Sequence, residues 1–131
     1  MANYIETARS NYFKVKDLNK FKEATEHFGS FTIVDGKDGT IAILGDEDFP
    51  AAAYDDNGNE MEKNFSDIVA EHLTDDSVFI AMGSGYEKMR YIAGWAYAVD
   101  NSGRHIFINL DDIYTKAKEK FAGKKVTSAT Y

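Results

Sequence analysis

Apolar and polar residues alternate along this chain at two periods, and the switches between them mark out its elements. Phe13 and Val15 alternate with Lys14 and Lys16, the period of a half-buried strand, which predicts a first strand over 10–16. Leu18, Phe21, Thr25 and Phe28 then recur at helical spacing. Asp17 stands before them as an N-cap and Gly29 behind them as a stop, which predicts a helix over 17–28. Short apolar runs over 31–34 and 41–44 flank Asp35-Gly36-Lys37-Asp38-Gly39, a sequence suited to the positive φ of a hairpin turn. A further short strand over 51–54 is optional, followed by an Asp55-Asp56-Asn57-Gly58 turn. Met61, Phe65, Ile68, Val69 and Leu73 share one helical face, predicting a second helix over 64–73.

The remainder reads as three strands and a helix. A compact strand over 78–82 precedes a Gly83-Ser84-Gly85 loop, and the long apolar run over 89–99 predicts a central strand. Asn101-Ser102-Gly103 turns the chain into a strand over 104–110. Asn109 can cap a third helix with Asp111 and Asp112 in its first turn, and Leu110, Ile113, Tyr114, Ala117 and Phe121 form its apolar side. Gly123 ends it, and 124–131 is expected to fray.

Short turns between neighbouring strands require antiparallel pairing. The pattern therefore predicts an α+β fold, β-α-β-β-(β)-α-β-β-β-α. It is an antiparallel sheet of five to six strands with three helices mostly on one face. At 131 residues, without repeat or linker, a single domain over 1–131 is expected.

Charge changes this picture in one place. Residues 35–76 hold thirteen carboxylates against Lys37 and Lys63, a balance of −11, whereas the whole chain carries −7. The other residues therefore sum to +4, and the negative charge is concentrated in the middle third. An overall acidic balance opposes phosphate-backbone binding and favours a basic partner. Without cysteine there is no disulfide, thiol nucleophile or thiolate metal site. Neither a signal peptide nor a membrane-length apolar run is read, so a cytoplasmic setting is expected.

The motifs that could carry chemistry fail on spacing. Gly83-Ser84-Gly85-Tyr86-Glu87-Lys88 lacks the third glycine of a dinucleotide fingerprint and the Gly-Lys-Ser/Thr of a phosphate loop. It also lacks the nucleophile-elbow pattern. With Gly58 at position 6 of a calcium loop, positions 1 and 12 would be Ala53 and Asn64, where carboxylates are needed. His27, His72 and His105 have no partner at a metal-binding spacing. No catalytic residue, metal or cofactor is therefore expected.

Two surfaces are left. Tyr91, Trp95 and Tyr97 share one side of the longest strand, with Ile92, Ala96 and Ala98 on the other. That aromatic side is expected to be core. It could alternatively wall a small-ligand or catalytic pocket, or stack on bases with Arg90 nearby. The basic ends, over 9–22 and 116–125, would serve a nucleic-acid binder. The acidic middle instead offers Asp46, Glu47, Asp48, Asp55, Asp56, Glu60, Glu62, Asp75 and Asp76 as residues that would dock on a basic groove. Closely spaced carboxylates can imitate duplex DNA, which carries one charge per about 1.7 Å of axis.

Thr7-Ala8-Arg9-Ser10-Asn11-Tyr12-Phe13-Lys14-Val15-Lys16-Asp17, Glu87-Lys88-Met89-Arg90-Tyr91 and Leu110-Asp111-Asp112-Ile113-Tyr114 resemble small acidic proteins of bacteriophages and mobile elements. The resemblance spans most of the chain. It implies a setting in a bacterial host that includes anti-CRISPR and anti-restriction inhibitors, with a CRISPR or restriction nuclease as partner. It supplies no functional residues.

Overall fold

The computed structural model describes residues 4–28, 31–45 and 64–129. In chain order these hold β1 (Tyr4–Ser10), α1 (Leu18–Thr25), β2 (Thr32–Asp35), β3 (Ile41–Gly45), α2 (Phe65–His72), β4 (Val78–Glu87), β5 (Tyr91–Asp100), β6 (His105–Asn109) and α3 (Asp112–Lys120). The strands form one antiparallel sheet in the order β2-β3-β1-β4-β5-β6. This is the α+β class and element order that the pattern predicts. The optional strand over 51–54 lies outside the described residues.

Two strands differ from their predicted bounds by more than two residues. The first runs over Tyr4–Ser10 rather than 10–16, and it sits inside the sheet between β3 and β4. Its core-facing positions Ala8 and Ser10 are small or polar although both are buried, so they lack the apolar alternation that marks a strand. The alternating segment that follows makes only single bridges, Phe13 to Ile41 and Val15 to Leu73. Asn11 carries the pairing past the end of β1. Its side chain donates to the Val78 carbonyl and accepts from the Ile80 amide, both at 2.9 Å. The second difference is β4, which continues through Gly83-Ser84-Gly85 to Glu87. The glycines there are not a loop. Gly83 pairs with Trp95, whose ring occupies the space a side chain would take.

The helix starts follow the sequence closely, whereas α1 gives way at Glu26 to a short 3-10 turn over Glu26–Phe28 and the expected stop at Gly29 lies outside the described residues. Asp17 accepts from the Lys20 amide at 3.1 Å. Asn64 and Asp67 form a reciprocal capping box at the start of α2. Asn109 and Asp112 exchange the same pair of bonds ahead of α3, at 2.9 and 3.1 Å. The hairpin between β2 and β3 turns at Asp38 (φ 57°) and Gly39 (φ 79°), as the Asp-Gly step predicts.

The core lies between one face of the sheet and α1 with α2. Phe13, Phe21, Phe65, Phe79, Ile43, Val69 and Leu73 are almost wholly buried. Their rings meet edge to face in a connected path: Phe13 lies 4.9 Å from Phe79 and 6.0 Å from Phe21, and Phe65 lies 6.1 Å from Phe79 and 5.3 Å from Phe28. Trp95 and Tyr97 extend the path along β5, stacked on each other at 5.8 Å. By contrast α3 buries none of its residues. Among the described residues, no helix is long and apolar enough to cross a membrane.

Candidate functional site

Of the acidic residues singled out, Asp46, Glu47, Asp48, Asp55, Asp56, Glu60 and Glu62 lie outside the described residues. Asp75 and Asp76 are described and form the turn between α2 and β4, where both are exposed. Asp76 accepts from the Thr74 hydroxyl at 2.9 Å, which holds the turn closed. Asp75 accepts from the Asn101 side chain at 3.0 Å, tying this turn to the one between β5 and β6.

That second turn is organised by Asp100. Its carboxylate accepts from the Ser102 hydroxyl at 2.8 Å, the Arg104 side chain at 2.7 Å, and the backbone amides of both residues at 3.0 Å. The Ser102 hydroxyl first, and Arg104 with the two amides after it, hold the carboxyl down at about 2. The rest of the described acidic middle is equally exposed: Asp35 and Asp38 at the β2–β3 hairpin, and Asp67 and Glu71 on the outer side of α2. These groups are distributed over a hairpin, a helix and a turn. Among the described residues no three His, Cys, Asp or Glu side chains gather as a metal site would require. The turn at 55–58 lies outside the described residues.

The histidines fall on separate elements. His72 sets its ring edge-on to Phe21 at 5.8 Å, at the margin of the core, and His105 is exposed on the edge strand. His27 lies in the short turn of helix after α1.

The aromatic side of β5 faces the core, as expected. Trp95 and Tyr97 pack against the buried cluster, and burial pushes the Tyr97 phenol well above the usual tyrosine range. The three surface grooves described lie elsewhere. One runs along α3, one lies between α1 and β2, and one lies over Val78, Ala98 and Ile106 at the end of the sheet.

The reverse face of the same strands is the feature that sequence reasoning did not single out. Antiparallel partners point the same way, so Met82, Ala96 and Ile108 share this face, as do Ile80, Ala98 and Ile106, and Tyr86 and Ile92. Among the described residues no helix covers their large side chains: Met82 is 58% exposed, Ile92 67%, Ile106 71% and Ile108 62%. A continuous apolar run like that of β5 ordinarily belongs to a strand covered on both faces. Here one cover is missing. The parity of Ile92, Ile106 and Ile108 was readable in the sequence, but which side the helices take was not.

Comparison of the chain with protein-family models, with curated proteins and with solved structures gave no match.

Proposed function

We propose that the chain is a non-enzymatic interaction protein whose acidic side docks on the basic nucleic-acid-binding site of another protein. The observation that carries this reading is the exposure of every described carboxylate of the acidic middle, on a hairpin, a helix and a closed turn rather than on a tail. Carboxylates mounted on ordered backbone approach a partner without first being ordered, and their summed field speeds the encounter. Residues 35–76 carry −11 of that charge, against +4 in the rest of the chain. Together with the resemblance to phage and mobile-element proteins, it suggests inhibition of a CRISPR or restriction nuclease by occupation of its nucleic-acid channel.

The test begins with capture of partners from a bacterial host lysate on the immobilised chain. It then compares the captured protein's affinity for the native chain with that for a variant carrying Asp46→Asn, Glu47→Gln, Asp48→Asn, Asp55→Asn and Asp56→Asn. Binding is expected to be lost in the variant while folding is retained, and to weaken steeply as salt is raised. Unchanged affinity, or a flat response to salt, would sink the proposal.

A further inference from the structure

We infer that the open back face of β4, β5 and β6 is a homodimer interface, covered by a second copy of this chain. Size is the first argument. Val78, Met82, Tyr86, Ile92, Ile106 and Ile108 are each between 45% and 71% exposed on this one face. Together they expose on the order of 700 Å², above the 300–600 Å² of the largest patch on a typical monomer and close to the about 800 Å² per partner of a standard interface.

The second argument is complementarity within the chain itself. The sheet has a face without a helix, and α3 is a helix without a sheet, its apolar side open at Ile113 (60% exposed) and Phe121 (53%). Leu110, at the root of α3, lies against Gly94 at the margin of the same face. Two copies related by a twofold axis place the bare helix of each beside the bare sheet of the other, and both unpartnered surfaces are used at once.

Charge permits this approach. Apart from Asp100 at its end, already paired with Arg104 at 2.7 Å, the back-face positions of β4, β5 and β6 are uncharged. Asp67 and Glu71 sit on α2 in the opposite layer, and Asp35 and Asp38 at the far edge of the sheet. A back-to-back pair therefore keeps these like charges turned away from each other. Pairing through the edge of β6 alone, the last strand among the described residues, is a poorer solution, because it would leave Val78, Met82, Tyr86 and Ile92 in water.

The test is the mass of the native chain in solution, by sedimentation equilibrium across the micromolar range. A mass of two chains is expected, dissociating on dilution. In the variant Ile92→Lys with Ile106→Lys, dissociation should become about tenfold easier or more, because each lysine would be buried without a partner. Both positions are more than two-thirds exposed within one chain, so circular dichroism should show an unchanged fold. Phe121→Lys at the C-terminal end of α3 should weaken the pair independently, whereas Asp75→Asn with Asp76→Asn should leave it intact. A single-chain mass at all concentrations overturns the inference, including the case in which α3 folds back onto its own sheet. So does a mass that climbs past two chains, or a double-lysine variant that pairs as the native chain does.

Discussion

The indole of Trp95 rests on Gly83, its partner across β4 and β5: a Cβ built at Gly83 would lie 2.6 Å from the ring. The glycine is there for space rather than for a turn. Gly83→Ala must displace the ring that stacks on Tyr97, an overpacking change expected to cost about 1–3 kcal/mol. Trp95 is the chain's single tryptophan, so its fluorescence reports the shift directly. Urea unfolding followed by that signal should show an earlier midpoint. An unchanged midpoint and spectrum would mean the ring does not rest on the strand.

Phe13 belongs to no strand, yet it is 1% exposed and meets Phe79 edge to face at 4.9 Å. It should therefore matter as much as a residue inside the sheet. Phe13→Ala and Phe79→Ala are each expected to lose about 3–5 kcal/mol, measured by denaturant unfolding. As the two rings touch, the double variant should cost less than the two single losses together. Strict additivity would contradict the contact.

Asn11 extends the β1–β4 ladder with its side chain, at two 2.9 Å bonds to the backbone of Val78 and Ile80. Asn11→Ala leaves the part-buried Ile80 amide without that acceptor, at an expected cost of about 1–3 kcal/mol. Amide hydrogen exchange at Ile80 should accelerate in the variant. Unaltered protection there would show that the side chain is not the acceptor.

Asp100 predicts a pH response. Its folded carboxyl, at about 2, lies below its ordinary value of 3.8. A depressed carboxyl contributes stability above its unfolded value, and that contribution is lost as pH falls from about 4 through 2. A carboxyl-detected NMR titration should place Asp100 below the ordinary aspartate value of 3.8. Asp100→Asn should remove this part of the acid dependence of the unfolding midpoint. Titration at the ordinary value would refute the hydrogen-bonded turn.

How much of this was legible from residues alone varies with the range of the interactions. Helix caps and turns were readable, because Asp17, Asn64, Asn109 and the Asp38-Gly39 step act through bonds to backbone three residues away or less. The element order was readable for the same local reason. The first strand was not, since its buried positions Ala8 and Ser10 carry no apolar signal of their own and sit between strands distant in the sequence. Gly83 was read as a loop residue because its reason for being glycine is a ring twelve positions further along the chain.

The candidate surfaces divide in the same way. Charge is additive along the chain, so the sequence by itself determined that the middle third is acidic and that Tyr91, Trp95 and Tyr97 share a side. Only the tertiary structure decided which side α1 and α2 would cover. Helix docking is settled by where large rings can interlock, and Phe13, Phe65 and Phe79 interlock on one face of the sheet. The other face, equally apolar along β5 and β6, was left to water or to a partner.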